Sequence, residues 1–352
     1  MAENLFASYL KAKLPQVQAA VADAAATAVP PVEGVKQPGE DLERYLYGPL
    51  ARFTEGGGKR VRPILCLLGA EAVGGDASLA LSSGVAIELF QSAALIHDDI
   101  ADKSELRRGN PCLYIEQGTG LAINMGDLAL TQVFEVVLED PSIPAERKPE
   151  LLSILVKMER NTLEGQALDL GWARDGRWDI SVDDYLYMVA SKTAFYTAVY
   201  PLAAGAVAAG GPAEAVESLK KIGFSAGIAF QLQDDLLNLV GDADAQGKDF
   251  RSDITEGKRT LAVVHALNEL AVAQRAELVA ILEAETADQA ELARAVELIE
   301  LGGCIAYCEV LARSEAAKAK ELAAKSADMG HITSEAADIL CSMADFFIER
   351  AS

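Results

Sequence analysis

The sequence predicts an all-α protein that folds as a single domain over residues 1–352, in which residues 1–40 form an N-terminal helix and a loop. Apolar residues recur at helical spacing in long segments, and no segment shows the strict alternation that is typical of a β-strand. Hydrophobic residues make up 51% of the chain, so a large core can form. A chain of 352 residues is long for one domain, but all-helical domains can reach this length.

The predicted elements follow from periodicity and from turn-forming residues. Residues 3–25 are periodic and rich in alanine, which predicts an amphipathic helix. Residues 26–40 contain three prolines and two glycines, which predicts a loop before a helix at 41–53. Later helices are predicted over 64–73, 79–97, 122–139 and 150–171, after a cap at Ser181, and through 262–351. The run 83–97 is apolar nearly all round, so its helix should be central and buried.

The first acidic motif ends that apolar helix. The stretch 88–109 reads ELFQSAALIHDDIADKSELRRG and contains Asp98, Asp99 and Asp102. On a helix, Asp98 and Asp102 stand one turn apart on the same face, where their charges repel each other. Mg²⁺ would remove that repulsion, because it prefers a few carboxylates together with phosphate oxygens. A solvated acidic helix end is the alternative interpretation of one such motif.

A second acidic motif repeats this arrangement far along the chain. Residues 224–238 read FSAGIAFQLQDDLLN, an apolar helical run that ends with Asp234, Asp235 and Asn238. Two acidic clusters at the ends of apolar helices are hard to explain by solvation alone. They indicate a cage for a metal–diphosphate cluster above a hydrophobic hole.

A basic, glycine-rich segment is the third motif. Residues 56–63 read GGGKRVRP and place Lys59, Arg60 and Arg62 just before a helix that Pro63 opens. A helix start normally favours acids, so cations there suit an anionic ligand that also uses free N–H groups. A basic cluster with no ligand is the alternative.

These motifs together resemble the trans-isoprenyl diphosphate synthases, or polyprenyl synthetases, and within them the geranylgeranyl diphosphate synthases. The motifs are DDIAD followed by Arg107 and Arg108, DDLLN, GGGKRVRP, and the pair Lys192 and Thr193. The resemblance spans about residues 40–350. It implies a helical bundle of the isoprenoid synthase type around a central cavity. It also implies a Mg²⁺-dependent prenyltransferase that joins isopentenyl diphosphate head to tail to an allylic diphosphate, and that forms a homodimer.

The resemblance assigns roles to individual residues. The implied catalytic residues are Asp98, Asp99, Asp102, Lys192, Thr193, Gln231, Asp234 and Asp235. The implied substrate-binding residues are Lys59, Arg62, Gln91, Arg107, Arg108, Lys248 and Lys258. Asp98, Asp102 and Asp234 would hold Mg²⁺, at about three ions per site. The alternative interpretations are a core glutamine with satisfied hydrogen bonds for Gln91 and a lysine that reaches solvent for Lys192.

Product length is predicted from the residues below the first motif. Ala94 lies one turn before Asp98 with Ala93 beside it, and in the family a bulky aromatic residue here closes the hole early. Two methyl groups leave the hole open, and Phe90 would form a deeper floor. We therefore expect geranylgeranyl diphosphate, with a farnesyl or a longer-chain synthase as the alternative.

The chain departs from the family pattern at two places after the second motif. Arg251 stands where the family usually has glycine, and Asn238 stands where it often has a third aspartate. The first departure could alter the loop. The second removes a charge on the metal side, although asparagine keeps an oxygen ligand.

Charge and composition exclude other classes of protein. A net charge of −22 argues against binding to nucleic acid or to anionic membranes. The apolar run 194–211 contains Pro201 and many small residues, so a buried helix is expected and no stable membrane insertion. No signal peptide is expected, and five cysteines without zinc-ligand spacing indicate buried thiols in a cytoplasmic protein.

Three other functions remain as alternatives. A class I terpene cyclase would need a different second metal motif and no GGGKRVRP segment. A catalytically silent partner subunit would tend to lose one acidic motif, whereas both are present here. An acidic helical scaffold would leave Lys192 and the basic segment unexplained.

Overall fold

The structure is a computed structural model, and it describes residues 4–28, 33–241 and 250–349. Helices dominate these residues, which confirms the predicted fold class. The helices of the first half are α1 (Leu5–Ala26), α2 (Gly39–Leu42), α3 (Gly48–Glu55), α4 (Val61–Ala72), α5 (Leu81–Ala101), α6 (Leu113–Gln117) and α7 (Thr119–Glu139). Those of the second half are α8 (Lys148–Arg174), α9 (Val182–Val189), α10 (Tyr200–Ala208), α11 (Ala213–Val240), α12 (Ser252–Thr255), α13 (Leu261–Glu269), α14 (Val272–Glu283), α15 (Gln289–Leu301), α16 (Cys304–Asp328) and α17 (Ser334–Glu349).

Irregular segments interrupt the α-helices at a few places. Glu43–Tyr47 and Ala190–Val199 are π-helical, and Ala77–Ala80 is a 3₁₀ turn. The prediction of no strand was wrong in one small respect. β1 (Leu106–Arg107) pairs antiparallel with β2 (Asn110–Pro111), which folds the chain back directly after the first acidic motif.

Helix ends agree with the sequence where a cap was identified. Ser181 accepts a hydrogen bond from the Asp184 backbone N–H, and the Asp184 carboxylate accepts one from the Ser181 N–H, so α9 begins with a capping box. The helix predicted to end at residue 97 continues to Ala101. Asp98 and Asp99 therefore lie in the last turn of α5, and their side chains leave the helix in different directions.

Two helices lie at the centre of the bundle. α5 packs against α4 and α7, and α11 packs against α16, α10 and the π-helical segment Ala190–Val199. Every residue of α10 is buried, as predicted, although this helix covers only the part 200–208 of the apolar run 194–211. A Cβ at Gly205 would lie 1.9 Å from the Cys66 carbonyl oxygen, so glycine is what allows α10 to approach α4 this closely.

A second close approach positions the functional end of the bundle. A Cβ at Gly165 of α8 would lie 2.3 Å from the backbone nitrogen of Lys192. The absence of a side chain lets the last part of α8 lie directly against the start of the π-helical segment. The polar residues that follow Gly165 are thereby brought next to Lys192.

Candidate active site

A polar cleft and an apolar cavity meet at Lys192 and Thr193, near the C-terminal ends of α5, α8 and α11. The cleft has a volume of about 160 Å³ and the cavity about 130 Å³. The cleft is lined by residues that include Asp169, Tyr185, Lys192, Thr193, Gln231, Asp234, Asp235, Asn238, Asp253, Lys258 and Arg259. The cavity is lined by Phe90, Ala94, His97, Asp98, Leu130, Thr162, Leu163, Gln166, Lys192, Thr193 and Tyr196.

Asp98 and Asp102 carry the first acidic side of the site. The Gln166 amide donates a hydrogen bond of 2.8 Å to Asp98 Oδ1, which fixes the orientation of that carboxylate. Burial raises the pKa of Asp98, and the nearby Asp102 charge adds to this effect. Burial also raises the pKa of Asp102. Both carboxylates are therefore held at an energetic cost that a cation would relieve.

Asp99 faces the other way and lies in the protein interior. Its side chain is 1% exposed, and Oδ1 accepts a hydrogen bond of 2.9 Å from Arg107 Nε. Arg107, which sequence reasoning assigned to substrate, is thus held by Asp99 at the start of the small hairpin. The structure places Asp99 behind the site, where it positions an arginine.

Two lysines supply positive charge inside the cleft. Lys192 forms an ion pair with Asp169. Burial alone would lower the pKa of Lys192, but the carboxylates of Asp169 and Asp98 outweigh it and raise that pKa. Lys258 lies 3.5 Å from Asp253 and also pairs with Glu256.

Burial would likewise lower the pKa of Lys258, and Asp253 and Glu256 raise it above its ordinary value. Both lysines are therefore cations at neutral pH, although each is largely enclosed. This outcome disfavours the interpretation of Lys192 as a lysine that simply reaches solvent.

The second acidic motif contributes one exposed and one anchored carboxylate. Asp234 is exposed at the cleft. Asp235 accepts hydrogen bonds from the Tyr185 hydroxyl at 2.5 Å and from the Gln231 amide nitrogen at 2.7 Å. Burial and the nearby Asp253 charge raise the pKa of Asp235. Because the Gln231 nitrogen is bonded to Asp235, its carbonyl oxygen is directed away from that carboxylate.

The two departures from the family pattern lie in one local arrangement. Asn238 donates to the Ser252 hydroxyl at 3.1 Å and accepts from the Asp253 N–H at 3.2 Å, so its amide ties α12 to α11. Arg251 adopts a left-handed conformation with φ 62°, which glycine would adopt without strain. Asp253 supplies a carboxylate to the cleft close to Asp234.

The three cations of the basic segment have different surroundings. Arg60 is buried and pairs with Glu88 of α5. It is therefore not available to an anionic ligand, contrary to the expectation from the sequence. Lys59 is exposed, with Nζ 5.9 Å from the centre of the Phe346 ring. Arg62 donates to the Tyr196 hydroxyl at 2.7 Å.

The remaining predicted substrate-binding residues lie nearby, with one exception. Arg108 lies beside the glycine segment, because a Cβ on Gly58 would be 3.5 Å from its guanidinium. Gln91 is half-buried on α5, two turns before Asp98. Lys248 lies outside the described residues.

Ala94 and Ala93 have different surroundings. Ala94 lines the apolar cavity, whose lower part is formed by Phe90 and Tyr196 with ring centres 5.9 Å apart. Ala93 belongs instead to a buried cluster with Leu50 on the other side of α5. The open space predicted from two alanines therefore depends on one of them.

The alignment of Glu164, Gln166 and Asp169 on α8 predicts a polar upper wall of the site, whereas Tyr185 and Asp253 were not assigned by sequence reasoning. Gln166 and Asp169 are three residues apart on α8, a spacing that places polar side chains on one helical face. Tyr185 and Asp253 gave no comparable signal, because the residues that they approach are distant in sequence.

The carboxylates fit a divalent cation that binds together with a ligand. Within the described ranges, no three metal-binding side chains form a ready-made cluster. Mg²⁺ does not need one, since it is usually held by one or two carboxylates, waters and substrate phosphates. Asp98, Asp102 and Asp234 offer hard oxygen ligands, and burial, which raises the pKa values of Asp98 and Asp102, disfavours charged carboxylates that such a cation would stabilise.

Comparison with known proteins agrees with this geometry. The sequence model of the polyprenyl synthetase family matches residues 43–299. The short chain isoprenyl diphosphate synthase of Methanothermobacter thermautotrophicus is 38% identical, over 84% of this chain and 87% of that protein. The geranylfarnesyl diphosphate synthase of Natronomonas pharaonis is 36% identical, over 87% of this chain and 90% of that protein. The crystal structure of geranylgeranyl pyrophosphate synthetase from Pyrococcus horikoshii is similar with a TM-score of 0.85 and 31% identity, and the match covers 98% of each chain. The chain belongs to the polyprenyl synthetase family, and it is a prenyltransferase.

Proposed function

We propose that this enzyme condenses isopentenyl diphosphate head to tail with allylic diphosphates in a Mg²⁺-dependent reaction and releases geranylgeranyl diphosphate. The observation that carries the proposal is the junction at Lys192 and Thr193. There a cleft with fixed cations and carboxylates shares two lining residues with an apolar cavity. An amphipathic substrate with a diphosphate head and a hydrocarbon tail fits that junction.

The allylic diphosphate would bind in the polar cleft. Lys192 and Lys258 supply fixed positive charge, and Asp98, Asp102 and Asp234 would hold Mg²⁺ against the diphosphate oxygens. When bound, the metal supplies further positive charge that neutralises the diphosphate as a leaving group. Together with Lys192 and Lys258, a divalent cation would reduce the repulsion between the acidic side chains and a diphosphate in this cleft.

The protein's own residues favour ionisation of the allylic carbon–oxygen bond. Lys192 stays a cation because Asp169 and Asp98 raise its pKa, so its charge is in place before the leaving group departs. The Thr193 hydroxyl lies at the mouth of the cavity, where its oxygen dipole would steady the allylic cation. The apolar lining keeps water from the cation until the second substrate attacks.

Isopentenyl diphosphate would bind beside the cleft on Lys59, Arg62, Gln91 and Arg108. Arginine presents paired donors that match phosphate oxygens. The bond from Asp99 would hold Arg107 where its charge reaches the allylic diphosphate, so Asp99 would act through Arg107. The double bond of isopentenyl diphosphate attacks the allylic cation, and the proton released then passes to the departing diphosphate.

The cavity supports a product longer than farnesyl diphosphate. Ala94 leaves the upper cavity open, and the first bulky ring below it on α5 is Phe90. The similar proteins are named for geranylgeranyl, geranylfarnesyl and short-chain products, which is consistent with this range. Geranylgeranyl diphosphate is the product that the depth of Phe90 favours.

Turnover of isopentenyl diphosphate with dimethylallyl, geranyl and farnesyl diphosphates tests the proposal. We expect product only with Mg²⁺, none with EDTA, and geranylgeranyl diphosphate as the main species by chromatography. The Lys192→Ala variant should lose most of its activity, while Lys157→Ala, at an exposed position of α8, should retain activity. Absence of product with all three primers would overturn the function, and mainly farnesyl diphosphate would overturn the product length.

We also propose a homodimer formed through α7 and α8. Ile123 and Leu138 of α7 are 43% and 50% exposed, and Val156 and Leu163 of α8 are 43% and 62% exposed. α7 is long and apolar enough to span a membrane, yet only 39% of its apolar window is buried. Cover by a second copy is our explanation for this apolar face, in preference to membrane insertion. Light scattering should give twice the mass of one chain.

We further propose that the chain is one domain and that it works in the cytoplasm without binding nucleic acid. The two ends are joined by a hydrogen bond of 3.1 Å from Asn4 Nδ2 to the Ser342 carbonyl oxygen, which supports one domain. The five cysteines are unpaired, which suits a reducing compartment. Cell fractionation tests the location.

A further inference from the structure

Glu159 of α8 carries a carboxyl oxygen that finds no hydrogen-bond partner among the described residues. It lies one turn before Thr162 and Leu163, which line the apolar cavity. Its Oε1 atom is inaccessible to solvent and has no hydrogen-bond partner in the part of the chain that the structure describes. A buried polar atom without a partner destabilises the fold, so its presence calls for a reason.

The depth of Glu159 follows from the register of two helices. The hydrogen bond between Gln166 and Asp98 joins α8 to α5 at the site, and both helices run towards the site. Glu159 lies seven residues before Gln166, and Phe90 lies eight residues before Asp98. At the rise of an α-helix these positions are roughly 10 and 12 Å below the site. Glu159 is therefore level with the floor of the cavity.

The lining of the cavity at that depth is apolar. The lower lining of the cavity consists of Phe90, Leu130 and Tyr196. The Tyr196 hydroxyl already accepts a hydrogen bond from Arg62. Burial raises the pKa of Glu159 to about 7, with no compensating charge among the causes of the shift. The carboxyl group is therefore a desolvated polar group on α8, one turn before Thr162 and Leu163 and two turns before Gln166, which line the apolar cavity.

We propose that Glu159 is a specificity-determining residue that limits product length. The hydrocarbon tail lengthens by one isoprene unit in each cycle and moves towards the floor. A tail that passes Phe90 must press its terminal methyl groups against the Glu159 carboxyl and remove its remaining water. That contact disfavours a further cycle, so the product is released. This inference rests on the proposed function and concerns the end point of the same reaction.

Substitution of Glu159 by an apolar and by an isosteric residue tests the inference. In Glu159→Leu the contact becomes favourable, and we expect the ratio of geranylfarnesyl to geranylgeranyl diphosphate to rise roughly ten-fold. Glu159→Gln keeps a polar group of the same shape, so its ratio should rise less. Glu164→Leu is the matched control, because Glu164 is exposed on the same helix, and its products should equal those of the wild type.

The outcomes separate this inference from the proposed function. Total incorporation of isopentenyl diphosphate by the wild type tests the function, and the ratio of products tests Glu159. If the wild type is active and both Glu159 variants give the wild-type ratio, Glu159 does not limit chain length. Should Glu159→Leu fail to fold, an unchanged ratio in the isosteric Glu159→Gln variant would itself overturn the inference, since loss of the charge must shift it.

Discussion

The buried ion pair between Arg60 and Glu88 should control both stability and the isopentenyl diphosphate site. Arg60 is 5% exposed and Glu88 is 4% exposed, and the Arg60 guanidinium also donates to the Thr54 carbonyl oxygen. Arg60 has φ 47°, a left-handed conformation that these contacts must hold in place. Lys59 and Arg62 flank it in sequence, so their positions depend on the same pair.

Removal of one partner leaves an unpaired charge in the interior. Breaking a buried pair in this way costs about 3–5 kcal/mol, compared with at most about 1 kcal/mol for an exposed pair. With an unfolding entropy of about 2.1 cal/mol/K per residue, a chain of this length should lose roughly 4–7 °C in Tm on Glu88→Ala. The Km for isopentenyl diphosphate should rise on the order of ten-fold, more than that for the allylic substrate, because Lys59 and Arg62 lose their support.

Thermal unfolding and steady-state kinetics measure the two effects. Glu309→Ala is the matched control, since it removes an exposed pair with Arg313 whose side chains are 46% and 70% exposed. The double variant Arg60→Met, Glu88→Leu should recover part of the lost stability, because buried apolar side chains leave no charge without a partner. A Tm for Glu88→Ala within about 1 °C of the wild type would refute the reasoning.

Three further predictions test other parts of the site. Lys192→Ala should lower kcat roughly 10²–10³-fold through loss of a fixed cation at the leaving group, and a drop below ten-fold in steady-state assays would contradict this. Ala94→Phe should shorten the main product to farnesyl or geranyl diphosphate by chromatography, and an unchanged product would mean that the tail takes another path. The free energy of unfolding of Arg251→Gly should exceed that of Arg251→Ala by about 1 kcal/mol, because only glycine adopts the left-handed conformation without strain. In denaturant unfolding, equal midpoints for the two variants would argue against that strain.

The two neighbouring carboxyl groups of Asp235 and Asp253 also predict a pH dependence of stability. Burial raises the pKa of Asp235, with repulsion from Asp253 as the next cause, so the folded state binds protons more tightly than the unfolded chain. The stabilising contribution of Asp235 is fully present at pH values below the ordinary pKa of a carboxyl group, and it is lost as pH rises towards neutrality. In EDTA, Tm should therefore fall between about pH 4 and pH 7, and the fall should be smaller in Asp235→Asn. A Tm that rises over this range in both proteins would contradict the assignment.

Much of the fold could be predicted from local pattern. The apolar periodicity of α5 and the Ser181 cap are short-range features that tertiary structure had no reason to override. The helix boundary after residue 97 was missed because the acidic residues broke the apolar pattern without breaking the helix. The hairpin at Leu106–Arg107 was missed because two residues carry no detectable alternation.

The sequence by itself determined which chemical groups this protein has: two acidic motifs on apolar helices, a basic segment, and a lysine in apolar surroundings. Only the tertiary structure decided which way each side chain faces. Asp98 and Asp99 are neighbours in the chain, yet one lines the cavity and the other holds Arg107 in the interior. The physical reason is that successive helical residues point about 100° apart, so packing against other helices decides which of them reaches a ligand.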